Sequence, residues 1–178
     1  MKQKIYIKLF EGAEPLAIKE QGDWIDLKTR VNVHMKAPYT ATLSKIRKKD
    51  NLLLTENVKF TYALIPLGVG MILPKGMEAH VLPRSSTYSK WKIMMANGEG
   101  IIDQSYQGET DEWKFPAVAF EDVNILAGTS IAQFKIVPSQ KATLWQKLKW
   151  LLSSGVEIHY VDKLNDVSRG GIGSTGDK

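Results

Sequence analysis

Short runs of strand-forming residues, four to seven long and separated by Gly, Pro, Asn or Asp, fill most of this chain. That spacing belongs to sheets packed face to face or closed into a barrel, and not to strands alternating with helices. Examples are 4–10, 59–65, 68–73, 79–82, 93–96, 115–120 and 131–137. In 59–65, Phe60, Tyr62 and Leu64 alternate with Lys59, Thr61 and Ala63, which puts the first set on one face of a strand. Pro66, Pro74, Pro83, Pro116 and Pro138 fall at or near run ends, where a missing N–H does least harm to a ladder. The expected fold is all-β.

The 178 residues suit one domain with a substantial core, and 43% hydrophobic with 24% charged residues is an ordinary globular balance. No apolar run is long enough to span a bilayer. Residues 1–10 alternate Lys with apolar residues instead of forming a signal peptide's apolar core, so a cytoplasmic location and no membrane partner are expected. With no cysteine there is no disulfide, thiolate zinc site or cysteine nucleophile. His34, His80 and His159 show no ligand spacing and read as surface or partly buried imidazoles. A net charge of +5 favours anionic partners but is too small to select nucleic acid over a nucleotide, and no nucleic-acid partner is expected.

Two stretches break the strand pattern. About 36–57, with Lys45, Arg47, Lys48 and Lys49, reads as a long hairpin or excursion whose charges are a solvated face, with a docking surface as the alternative. In 141–152, Leu144, Leu148 and Leu151 recur at i, i+4 and i+7 beside Trp145 and Leu152, and Ser153, Ser154 and Gly155 end the pattern. This predicts an added amphipathic helix packing its apolar stripe on its own domain; Lys141, Lys147 and Lys149 with two tryptophans also suit a membrane surface. Residues 165–178 are Gly-rich and polar, with too few apolar groups to order themselves before a ligand arrives.

Three clusters carry chemistry. The tail 169–176 combines Arg169, the Ser174–Thr175 pair and four glycines. Glycines let N–H groups converge on an anion, hydroxyls add donors, and a guanidinium holds phosphate bidentately, each charge-assisted bond contributing roughly 1.5–3 kcal/mol. It lacks the Lys of a Walker A loop, and taken alone such a tail is more often a flexible terminus. The second cluster, Pro83-Arg84-Ser85-Ser86-Thr87, follows a strand directly, so that Arg84 and its hydroxyls can receive an anion; an ordinary Ser N-cap is the simpler reading. The third, 97–108, reads as a β-hairpin closing around Gly98 and Gly100 and presenting Asp103 and Tyr106. Exposed backbone groups there can read a planar base edge, and a carboxylate beside them can take a proton from water.

In this order the clusters resemble the motifs of the trimeric dUTPases, especially the phage-related branch of Gram-positive bacteria, and 22–176 can be read through the family's five motifs. The resemblance implies a distorted jelly roll or β-barrel, as a single domain over 1–164 with inserts at about 36–57 and 141–155, and a flexible nucleotide-clasping arm over 165–178. It implies hydrolysis of dUTP to dUMP and pyrophosphate with Mg2+, keeping uracil out of DNA and supplying dUMP. By the same resemblance Asp26 binds the metal through water, and Arg84, Ser85, Ser86 and Gln133 stand at the phosphates, Ser86 replacing a more usual Gly. Asn97 pairs with uracil, with Gly100 and Ile102 also at the substrate. Asp103 is the general base, and Tyr106 lies beneath the deoxyribose and excludes a 2′-hydroxyl. Arg169, Gly173, Ser174 and Thr175 clasp the γ-phosphate, reaching across to a neighbouring subunit of a homotrimer.

The fifth motif is about two residues short and carries Ile172 where the family commonly has a Phe that stacks on uracil. Base stacking contributes roughly 1–3 kcal/mol. Trp91 is one replacement for that ring; a core tryptophan is the other reading of it. A dCTP deaminase shares the fold and an Arg-Ser-Ser stretch, and Glu112 would be its proton shuttle. Some phage dUTPases also sequester repressor proteins, for which the two inserts are plausible docking surfaces.

Overall fold

Alternation of buried and exposed side chains builds the core. In β1 (Gln3–Leu9) Gln3, Ile5 and Ile7 point inward while Lys4 and Tyr6 are exposed, and the same period of two recurs along the longer strands. The computed structural model describes residues 2–18, 22–37, 45–47, 52–54 and 61–166. After β1 come β2 (Ile25–Lys28), β3 (Val33–Met35), β4 (Lys45–Arg47), β5 (Leu52–Leu54), β6 (Thr61–Pro66), β7 (Val69–Ile72) and β8 (Met77–Pro83). Helix α1 (Thr87–Trp91) precedes β9 (Ile93–Met95), β10 (Gly100–Ile102), β11 (Lys114–Ala119), β12 (Val123–Ile125) and β13 (Ser130–Pro138). Helix α2 (Leu144–Leu151) and β14 (Val156–Tyr160) complete the order.

The protein is mostly β, as expected. Its sheets run β14-β1-β7, β10-β8-β13-β2, β6-β11-β9, β12-β3 and β4-β5. Their inner faces meet around Trp113, Phe115 and Phe134, all fully buried, with the Trp113 and Phe134 rings edge to face at 5.3 Å. Tyr62 and Leu64 do share a face of β6, but it is the solvent face, and Ile65 is the residue that enters the core. Within the excursion β4 and β5 pair antiparallel, Lys45 with Leu54 and Arg47 with Leu52; Lys48 and Lys49 lie outside the described residues, as do Lys59 and Phe60.

The added helix is where the spacing put it. Its N-terminus is fixed by a capping box in which Thr143 and Gln146 exchange side-chain and backbone bonds. Its orientation is not the expected one, because Leu144, Trp145, Leu151 and Leu152 are 72–81% exposed. The face turned to the domain carries Gln146 and Trp150 instead. Gly76, at φ +80°, makes this seating feasible, since a Cβ there would fall 2.5 Å from the Gln146 side chain.

A partly buried ion pair fastens the loop before β11. The Arg30 guanidinium donates to both oxygens of Glu112, from Nε at 2.7 Å and from Nη2 at 3.1 Å, and Glu112 also accepts the Gly68 N–H at 3.0 Å. These bonds raise the Arg30 pKa further above its ordinary value, the hydrogen bond to Glu112 being the largest cause. Glu112→Gln is expected to lower the unfolding free energy by about 2 kcal/mol, less than for a fully buried pair because Arg30 is partly solvated. Urea denaturation of the two proteins at pH 7 measures it.

Candidate functional site

Strand β13 brings distant parts of the sequence together. Gln133 is paired with Asp26 of β2 on one side and with Leu82 of β8 on the other. Directly paired residues share a sheet face, so the Asp26 and Gln133 side chains stand together. Arg84, just past the end of β8, sends Nε to Asp26 Oδ1 at 3.0 Å, and Gln133 Nε2 donates to the Pro83 carbonyl at 3.3 Å. The Arg84 turn is pinned to β13 because the Ile131 carbonyl accepts both the Arg84 N–H at 3.2 Å and the buried Thr87 hydroxyl at 2.6 Å. Ser85 is exposed beside Arg84. Ser86 occupies the N-cap position of α1, but its hydroxyl makes no capping bond, so the simple capping reading does not hold. A pocket of about 400 Å3 opens here, lined by Pro83, Arg84, Ser85, Tyr88, Met95 and Gly98 among others.

The second group of residues follows β9. The expected hairpin is not one: β9 is the edge strand of β6-β11-β9, and β10 is the edge strand of β10-β8-β13-β2. Their partners β11 and β8 lie far off in sequence and pull the two strands into different sheets, leaving each with an inner edge unpaired among the described strands. The turn between them closes through the Gly98 N–H on the Met95 carbonyl at 3.1 Å, with Gly98 at φ +70° and Asn97 exposed. Gly100 lets the end of β9 come close, since a Cβ there would meet Met95 Cε at 3.3 Å. Ile102 is half-buried against the core.

Asp103 leaves β10 exposed. Its Oδ1 accepts the Ser105 N–H at 2.8 Å and also the Ser105 hydroxyl, a local turn that fixes the carboxylate. The Tyr106 ring packs on the core and its hydroxyl donates to the Glu112 carbonyl at 2.9 Å. Burial, and then the Asp111 and Glu112 carboxylates, raise its pKa above the ordinary tyrosine value, so that hydroxyl is a donor at neutral pH. Two glutamines that the sequence reading passed over tie this loop down. Gln104 donates to the Pro74 carbonyl at 2.8 Å, and the buried Gln107 accepts the Leu73 N–H at 2.9 Å while donating to the Gln104 carbonyl. Their only signal in sequence was position beside Asp103 and Tyr106. Trp91 is half-buried against the core. Arg169, Gly173, Ser174 and Thr175 lie outside the described residues, but the root of their segment is fixed: Asn165 N–H donates to the Gln107 carbonyl at 3.2 Å and the Glu109 N–H to the Asn165 carbonyl at 2.9 Å.

The structure therefore gathers Asp26, Arg84, Ser85 and Gln133 at one end of β8 and places Asp103 and Tyr106 at the other. Ile102 pairs with Ala79, so Asp103 stands near Glu78, six residues before Arg84. At about 3.3 Å per residue, Asp103 lies roughly 20 Å along the strand from Arg84 and roughly 13 Å from the level of Leu82, where Gln133 and Asp26 stand.

Residues 27–175 match the dUTPase family. The chain is 40% identical over 159 residues to the SPbeta prophage-derived deoxyuridine 5′-triphosphate nucleotidohydrolase YosS of Bacillus subtilis, covering 89% of this chain and 87% of that one. Its fold is similar to the dUTPase of Streptococcus mutans, with a TM-score of 0.59 at 16% identity over 77% of this chain and 98% of the other. It is also similar to a dUTPase variant from phage phi11 of S. aureus, whose structure is described as revealing the coordination of a structural Mg(II) ion, with a TM-score of 0.56 at 17% identity over 79% and 94% of the two chains. The chain belongs to the dUTPase family and is thereby a hydrolase of dUTP. Among the described residues no helix is long and apolar enough to cross a membrane.

The raised Tyr106 pKa has a measurable sign. A neutral group held above its unfolded value contributes stability that is complete below about pH 10 and is lost as pH climbs through the folded value. Spectrophotometric titration should show one tyrosine ionising late in the wild type, and Tyr106→Phe should remove that late step.

Proposed function

We propose that this chain hydrolyses dUTP to dUMP and pyrophosphate by attack of water on the α-phosphorus, in sites shared between copies of a homotrimer. The observation that carries the reading is the distance between Asp103 and the Asp26–Arg84–Gln133 group. A base that deprotonates the attacking water must lie within a few ångströms of the residues that hold the phosphates, and along β8 one chain keeps Asp103 roughly 13 Å from the level of Asp26 and Gln133 and roughly 20 Å from Arg84. Two copies packed with opposite ends of β8 together bring them into one site. Residues 1–164 form the single domain and 165–178 the arm.

In this reading Asn97 and the open edge at Gly100 and Ile102 hold uracil, with Trp91 as the ring over it, and Tyr106 lies under the deoxyribose, where its ring leaves no space for a 2′-hydroxyl. Arg84, Ser85, Ser86 and Gln133 hold the phosphates. Arg169, Gly173, Ser174 and Thr175 close over the γ-phosphate, and their segment starts beside the Asp103 loop, at Asn165. Asp103 takes a proton from water, the water oxygen bonds to the α-phosphorus, and the bond to the α–β bridging oxygen breaks as pyrophosphate leaves. Asp26 is the residue that would hold a Mg2+ ion, which would supply charge neutralisation at the phosphoryl oxygens. The donor set fits it: Asp26 offers hard oxygen, and Mg2+ ordinarily binds through one or two carboxylates, phosphates and retained water and not in a protein cage.

A deaminase of the same fold would need a free Glu112, whereas Glu112 is bonded through both oxygens to Arg30. Pyrophosphate release measured on dUTP, dCTP, dTTP and UTP with Mg2+ should occur with dUTP alone, and Asp103→Asn should lower kcat by at least about 10²- to 10⁴-fold. Ammonia released from dCTP, or full activity in the variant, would contradict the assignment. The enzyme works in the cytoplasm, where dUTP competes with dTTP for entry into DNA.

A further inference from the structure

Helix α2 presents its apolar side to solvent. Leu144, Trp145, Leu148, Leu151 and Leu152 are 81%, 79%, 39%, 78% and 72% exposed. At about 100° per residue they fan over about 120° of the helix, opposite Gln146 and Trp150, which face the domain. A tryptophan and four leucines this exposed amount to roughly 600 Å2, at the top of what a monomeric protein leaves contiguous and close to the ~800 Å2 each partner gives to a stable interface.

The seat of the helix lies next to the segment that holds the Asp103 loop. Gln146 seats α2 on Gly76, and Ser139 N–H bonds to the Gly76 carbonyl at 2.9 Å. Two residues earlier, the Pro74 carbonyl accepts Gln104, the neighbour of Asp103. The helix therefore stands at the Asp103 end of β8. A copy that delivers Asp26, Arg84 and Gln133 to Asp103 has to arrive at that end of the sheet. Lys147 and Lys149, on either side of the ridge, then lie at the rim, where charge remains in water.

We propose that the α2 ridge docks on a second copy of this chain, as part of the contact that completes the dUTP site; this rests on the shared-site reading above. The test is a dilution series of the full chain followed by mass photometry, with specific activity measured at each concentration. In the double variant Trp145→Ser/Leu151→Ser the assembly should dissociate at a concentration about 100-fold or more above that of the wild type. Activity should fall on dilution and return on concentration, and that return shows the subunits to be folded. Leu144→Gln, at an 81% exposed position, should shift dissociation in the same direction. A wild type and double variant that dissociate and lose activity together would overturn the inference and leave the shared site standing. So would unchanged assembly with the variant alone losing binding to phosphatidylglycerol vesicles, which would give the ridge to lipid. A wild type fully active as a monomer would remove the shared site itself.

Discussion

The register of β13 between β2 and β8 is the constraint on which the rest depends. Ala132, Phe134 and Ile136 point into the core, so Gln133 points out, opposite Asp26 on one side and Leu82 on the other. A slip by one residue would bury Gln133, expose Phe134 and separate Asp26 from Gln133 in one step. The hydrophobic face thus sets the polar one. An irregularity between Ser130 and Ala132 adds to this, because Ile131 also enters the core while its carbonyl turns to hold Arg84 and Thr87. Core packing and placement of Asp26, Arg84 and Gln133 are therefore one interaction viewed from two faces of a sheet.

The second group of candidate residues is held by different means. Asp103 and Tyr106 lie in a loop after β10, and a loop needs its own restraints if a carboxylate is to be presented in one orientation. Gln104 and Gln107 provide them by bonding the loop to the Leu73–Pro74 segment, and the Tyr106 hydroxyl anchors its far end on the Glu112 carbonyl. The Arg30–Glu112 pair beneath that anchor ties in the segment between β2 and β3. The Asn165 bonds to Gln107 and Glu109 start the C-terminal segment from the same place. The described start of the C-terminal segment and the Asp103 loop are thus joined through a single buried glutamine.

Much of this was legible in the sequence, for identifiable reasons. The strands with long alternating runs, such as 4–10 and 131–137, were found because a period of two is a local property. Helix α2 was found from Leu144, Leu148 and Leu151, and Arg84 and Ser85 stood out because a strand ended beside them. What was missed depended on distant partners. The separation of β9 and β10 into two sheets is decided by β11 and β8, which no local pattern reveals. The direction of the α2 ridge was misread because periodicity shows that one face is apolar, not which body that face meets. Strands of three residues such as β3 and β12 are too short to show a period, and Gln107 resembles any other glutamine until its burial is known.

Complementation between two inactive variants probes the shared site most directly. Asp103→Asn and Arg84→Ala, each purified alone, should hydrolyse dUTP poorly. When the two are dissociated, mixed and reassembled, some sites should combine an intact Asp103 from one copy with an intact Arg84 from another, and activity should return well above that of either parent. A mixture that reassembles fully yet stays as inactive as its parents would show that both residues serve a site within one chain, and the separation of the two groups along β8 would then have no functional meaning.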